Sequence, residues 1–264
     1  EVERGVTRIE RFLRAVKAQG GGSARVWLFN DVRHPEAIFE MQGGRPVKLR
    51  DDVYRVTDAI LAAQQGTKVR VLPVLFDFHI LNGVRDERSA PTGEHPEYFT
   101  QEGRARLVKL LEPWITRYAR AFDWVELFNE PENGAPGPGT GVAYNPHVLL
   151  LLKDLADLVH QHGGRVTIGA NKPENVHRYQ GIIEPRRGDA YSVHFYHVRP
   201  GKLPSAGSLG VGRAPVLITE IGAKTPDEVT AFAREAHAKG YRGIMFWPQD
   251  GFTSRGLRAA LTRL

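Results

Sequence analysis

Between Arg25 and Trp247 the chain alternates between short apolar runs, rich in β-branched and aromatic residues, and longer stretches whose apolar positions recur at helical spacing. The apolar runs occupy residues 25–29, 68–76, 124–128, 166–169, 190–196, 216–221 and 243–247. Helical spacing is read over 51–65, 100–121, 147–162, 174–183 and 227–239, with one more helix at 4–19 and another at 257–261. Two strands joined through a helix return in the same direction, so this alternation predicts a parallel sheet with helical crossovers. A (β/α)8 barrel typically takes about 250 residues, and 264 residues suit one such domain spanning 1–264. The runs number seven, one short of a closed barrel. The missing first strand is expected to be irregular within residues 1–5, to lie upstream of residue 1, or to leave the barrel incomplete. Three local features qualify the pattern. Pro73 sits inside the second run, where it cannot donate to a ladder. Pro113 interrupts the helix at 100–121 and is expected to kink it. Residues 32–50 read as a loop, with a small hairpin turning at Gly43-Gly44.

In a parallel barrel the C-terminal ends of the strands share one face, and active sites lie there. The polar residues of this chain gather at those ends: Asn30 and Asp31, Asp77 and His79, Asn129 and Glu130, Asn171, His194 and Tyr196, Glu220, and Trp247 with Gln249 and Asp250. A polar residue closing one strand means little, but convergence from nearly every strand is hard to explain structurally. Glu130 follows a strand stopped by Pro131, and Glu220 follows a buried run that Gly222 opens into a loop. Two carboxylates at the mouths of separate strands are the raw material for glycoside hydrolysis.

The ordered set Arg25, His79, Asn129-Glu130-Pro131, His194-Phe195-Tyr196, Thr219-Glu220 and Trp247 resembles glycoside hydrolase clan A, and most closely family 5, the cellulases and mannanases. The resemblance covers the chain from Arg25 onward. It implies that Glu130 is the general acid/base and Glu220 the nucleophile. It further implies that Asn129 binds the sugar 2-hydroxyl and that Arg25 and Tyr196 hold the nucleophile. His79 and His194 would line the sugar subsite, and Trp247 would stack under the ring. The function expected from it is retaining hydrolysis of a β-linked polysaccharide or oligosaccharide, of endo-β-glucanase or endo-β-mannanase type. An exo-acting β-glycosidase, a carbohydrate-binding pseudoenzyme and an inactive incomplete barrel are the alternatives.

The remaining features exclude more than they assign. With no cysteine, disulfides and thiolate metal sites are ruled out. The formal net charge of +6 is scattered, with no like-charged block and no nucleic-acid-binding motif. No apolar run reaches the roughly 18 residues of a membrane span. The expected partner is a carbohydrate substrate, with no nucleic acid and no membrane span; oligomeric state is left open. No metal or organic cofactor is expected, because double displacement at two carboxyls needs none. The chain begins at Glu1 rather than Met, so a secreted or extracellular product with its signal peptide removed is expected, a cytoplasmic one being the alternative. Several residues also have plain structural readings. Arg25 could bridge Glu126 or another core acid. Trp27 and Phe29 read as packing and Trp114 as helix core. His160 and His162, two apart on one helix, read as surface.

Overall fold

The computed structural model describes residues 2–30, 32, 35–80, 98, 100–134, 146–223 and 225–248. Helix α1 (Val2–Ala18) leads into strand β1 (Ser23–Asn30). A one-turn helix α2 (Pro35–Ile38) and an antiparallel hairpin follow, made of β2 (Phe39–Gln42) and β3 (Arg45–Leu49). The hairpin turns at Gly43 and Gly44, both at positive φ, as its sequence predicts. Strand and helix then alternate: α3 (Asp51–Thr67), β4 (Arg70–Asp77), α4 (Gln101–Tyr118), β5 (Val125–Asn129), α5 (Pro146–Gln161), β6 (Val166–Ala170), β7 (Tyr191–Phe195), β8 (Val216–Ala223), α6 (Pro226–Ala238) and β9 (Gly243–Pro248).

Seven strands form one parallel sheet in the order β1-β4-β5-β6-β7-β8-β9. The sheet curls until its edges β1 and β9 approach, yet no ladder joins them among the described residues. This is the (β/α)8 architecture one strand short of closure that the sequence predicts. The expected helix at 257–261, with Gln249 and Asp250, lies outside the described residues. No helix among the described residues is long and apolar enough to cross a membrane.

Local sequence accounts for most of these elements. Strands β4 to β8 are buried almost throughout and β-branched or aromatic, as strands covered on both faces must be. Thr100 caps α4 by accepting a hydrogen bond from Gly103 N–H at 3.1 Å, and Thr225 caps α6 from Glu228 N–H at 3.2 Å. Pro73 is tolerated in β4 because pairing with β5 begins only at Val74, so no bond to β5 is lost at the proline. Helix α4 runs through Pro113 as one element. The expected helix at 174–183 is instead a 3-10 segment, Pro173–Tyr179, with Pro at its start. The layer between sheet and helices is apolar: Phe29 lies against Phe76 and Trp114, and Phe76 against Phe128.

Register shifts in three strands position the site. In β5 the ladder with β6 slips between Glu126 and Asn129. In β8 it slips against both neighbours, between Ile218 and Ile221. In β1 it slips between Trp27 and Asn30. Strict alternation would send Glu126 and Asn129 to opposite faces. A bulge inserts one extra residue and brings both to the same side, leaving Phe128 on the helix side. The same device lets the consecutive residues Thr219 and Glu220 both reach into the sheet's concave mouth.

Candidate active site

Arg25 organises the mouth of the sheet. Its side chain is 5% exposed. Its Nε donates to Glu126 Oε2 at 2.8 Å, one terminal nitrogen donates to Glu220 Oε1, and the other donates to Glu126 Oε1 and to Asn129 Oδ1, the last at 2.7 Å. Its guanidinium also lies 4.6 Å from the Trp27 ring centroid. Burial alone would lower the affinity of Arg25 for its proton, but Glu126 and Glu220 raise it above the usual value. Arg25 therefore bridges the core acid Glu126 and also grips Glu220. An ion pair this buried persists only when its remaining polar atoms are satisfied, and here the forked guanidinium spends its donors on three side chains.

Asn129 is locked from both ends. It accepts from Arg25 at Oδ1 and donates from Nδ2 to Asp77 Oδ2 at 2.7 Å. Asp77 in turn holds His79, accepting from its backbone N–H at 3.1 Å and contacting its ring Nδ1. His79 is about a third exposed.

Glu130 stands at φ +48°, a left-handed backbone that a non-glycine residue rarely takes. Its N–H bonds Gly169 C=O at 2.7 Å, and its C=O accepts from Asn133 N–H at 2.9 Å, so the strained residue is held on both sides. The Glu130 carboxyl meets three donors or acceptors: His194 Nδ1 at 2.5 Å, the Tyr196 hydroxyl, and Asn133 Nδ2 at 2.5 Å. Tyr196 Oη also donates to Glu220 Oε2 at 2.6 Å. Desolvation raises Glu130's affinity for a proton, partly countered by Tyr196 and Arg25. Tyr196 is pushed well above the usual phenol range by burial and by the charge of Glu220.

His194 is fully buried, and burial with Arg25 nearby lowers it to about 3, so its ring is neutral. A neutral imidazole has one donor and one acceptor nitrogen. Nε2 lies 3.0 Å from Thr219 Oγ1, which also contacts Ser192 Oγ. These contacts link Ser192, Thr219, His194 and Glu130 in one hydrogen-bonded chain. A tyrosine hydroxyl has a single proton, and Tyr196 touches both carboxyls. Its hydroxyl therefore links Glu130 and Glu220, and Arg25 also binds Glu220.

The structure brings together Arg25, Asn129, Glu130, His194, Tyr196 and Glu220, and attaches His79 through Asp77. Trp247 pairs through its backbone with Gly222 in the neighbouring strand; its side chain, like those of Asn30 and Asp31, lies outside the described residues. The loop at 135–141 also falls outside them. Glu130, His194 and Glu220 have donor types suited to a metal ion, and their facing atoms lie within 4.8 Å of one another. Each of those atoms is already engaged in the hydrogen bonds described above.

Glu126, named from the sequence only as a possible partner of Arg25, is fully buried, and desolvation raises its affinity for a proton, opposed by Arg25. Two site features lay beyond sequence reasoning. Gly169 is required because a Cβ there would stand 2.5 Å from Glu126 Oε1 and 3.1 Å from His194 Nε2. Glu132 is buried beneath Glu130, accepts from the Tyr179 hydroxyl, and is pushed up to about 7, chiefly by desolvation. Neither Gly169 nor Glu132 carries a motif that marks it.

No family model matches this chain, and no curated protein matches it either. Solved structures do. A β-1,4-mannanase from Aplysia kurodai superposes with a TM-score of 0.74 at 18% identity, over 99% of this chain and 86% of that one. An endo-1,4-β-mannanase from Eisenia fetida gives 0.72 at 18% identity, over 97% and 82%. A glycoside hydrolase family 5 mannosidase from Rhizomucor miehei gives 0.58 at 11% identity, over 91% and 75%. At these identities the likeness speaks to the fold alone: the chain shares the TIM-barrel fold of these glycoside hydrolases.

Proposed function

We propose that this chain is a retaining β-glycosidase that hydrolyses β-linked polysaccharide by double displacement. The observation that carries the reading is the Tyr196 hydroxyl bridging Glu130 and Glu220, whose facing oxygens lie within 4.8 Å. Retaining enzymes hold their carboxyls about 5–5.5 Å apart, whereas inverting ones need about 6.5–9.5 Å to admit a water.

In this reading Glu220, held by Arg25 and Tyr196, attacks the anomeric carbon while Glu130 gives its proton to the leaving oxygen. The bond from carbon to the leaving group breaks as the bond to Glu220 forms. Glu130, now a carboxylate, takes a proton from water, which attacks the same carbon and releases Glu220. Asn129, fixed between Arg25 and Asp77, offers its amide beside the 2-hydroxyl. His79 and Trp247 are assigned to the sugar subsite.

Endo-action on a β-mannan is the favoured form, supported by mannanases among the structural neighbours. The test is hydrolysis of β-mannan, β-glucan and aryl glycosides by the wild type, Glu130→Gln and Glu220→Gln, with product anomers followed by NMR. Each substitution should cost at least about a thousandfold in kcat/KM, and the first product should keep the β configuration. An inverted product would overturn the assignment of roles. Product lengths from a defined oligosaccharide separate endo- from exo-action.

A further inference from the structure

A second cluster lies at the opposite end of the sheet, where β6 and β7 begin. His160, near the end of α5, is buried, contrary to the surface position its sequence suggests. Its Nε2 lies 2.9 Å from Asp189 Oδ2, and Asp189 is itself completely buried. Asp189 also accepts from Val166 N–H and Glu184 N–H, each at 2.8 Å. Those bonds hold Asp189 as an acceptor and make Nε2 the protonated nitrogen. Nδ1 is left with its lone pair, buried and without a hydrogen-bond partner. Glu184 Oε1 stands 3.9 Å from it, beyond hydrogen-bond length. Asp157 lies three residues before His160 on the same helix face, and the donor atoms of Asp157, His160 and Glu184 all fall within 4.8 Å of one another.

A lone pair aimed at two carboxylates is repulsive unless something positive lies between them. We propose that Asp157, His160 and Glu184 bind a divalent transition-metal ion, zinc by preference, through His160 Nδ1 and one oxygen from each carboxylate. The donor set fits: one imidazole and two carboxylates suit zinc, whereas calcium takes oxygen alone. The supporting shell fits as well, because a carboxylate bound to the far nitrogen of a metal-ligating histidine fixes its tautomer and orientation. Ligands around a tetrahedral zinc stand about 3.3 Å apart. Asp157 and Glu184 are both part-exposed and can close that distance by side-chain rotation. Their present partners, Lys153 at 3.0 Å and Arg187 at 2.7 Å, form exposed ion pairs that contribute little and yield readily to a cation. The site ties α5 to the segment entering β7. It lies at the N-terminal end of the strands, away from Glu130 and Glu220, so its effect falls on stability rather than on the reaction.

The test is calorimetric titration of chelator-treated full-length protein with zinc chloride, paired with thermal melts. One equivalent should bind per chain, and the melting temperature should rise with zinc concentration. Asp157→Asn and Glu184→Gln, which change part-exposed positions and spare the core, should each weaken binding at least tenfold. The Glu130→Gln/Glu220→Gln double variant should bind as the wild type does, which separates this site from the carboxyl pair in the mouth. Absence of saturable binding overturns the proposal, as does full affinity in either single variant. Loss of binding in the double variant overturns it too.

Discussion

Replacing Glu132 with Gln should change how stability depends on pH, and the size of the change follows from its surroundings. Glu132 is about 5% exposed, and desolvation raises its carboxyl from 4.5 to about 7 despite the Tyr179 hydroxyl and the Asn171 N–H that favour its charge. A carboxyl whose folded-state pKa is raised binds more protons folded than unfolded. Its contribution is fully present below the unfolded value, near 4.5, and is lost as pH rises through about 7. A rise of that size is worth at most about 3 kcal/mol. Glutamine does not titrate, so the difference in unfolding free energy, Glu132→Gln minus wild type, should climb by up to about 3 kcal/mol between pH 4.5 and pH 8. Urea titrations of both proteins across that range give the curve. Using the difference cancels His194, which acts with the opposite sign: its folded pKa is lowered to about 3, so its contribution is present above 6.5 and lost as pH falls. Any fixed cost of fitting an amide beside the Asn171 N–H shifts the curve without changing its slope. A flat difference across pH 4.5–8 would refute the claim that Glu132 is desolvated and proton-bearing.

Gly169→Ala should destabilise the fold by about 3–5 kcal/mol in chemical melts, because the new Cβ displaces the buried Glu126 from Arg25; wild-type stability and activity would mean that the pair has room to move. Asn133→Ala removes a donor to Glu130 and so raises its proton affinity, and the basic limb of the kcat/KM profile should move up by about one pH unit. Movement of that limb to lower pH would contradict Glu130 as the acid. Thr219→Val deletes the hydrogen-bond partner of His194 Nε2 and should cost about 1–3 kcal/mol in a thermal or urea melt, while an unchanged melt would show that the ring nitrogen is satisfied otherwise.

Much of the fold was legible because it rests on local rules. Apolar runs alternating with helical spacing predict a parallel sheet, and all seven runs became its strands. The hairpin at Gly43-Gly44 likewise follows from residues adjacent in sequence. The helix expected at 174–183 failed because its apolar spacing was weighed above the proline that opens a 3-10 segment. The polar residues at strand ends were readable as a group, since a parallel barrel delivers every strand end to one face.

What sequence alone determined is the order of elements and the residue types at each mouth: two glutamates, an asparagine, histidines and a tyrosine, each placed by the end of a periodic run. Tertiary structure decided which of those side chains meet. Arg25 joins Glu126 and Glu220 across separations of 101 and 195 residues, and no local pattern encodes such a contact. Bulges in β5 and β8 turned Asn129 and Thr219 to the side that alternation denied them. Burial made His160 a core residue and raised Glu132's affinity for a proton, surroundings that an isolated chain does not supply. Periodicity is a property of neighbours along the chain, while desolvation and pairing depend on neighbours in space, and those exist only once the sheet has curled.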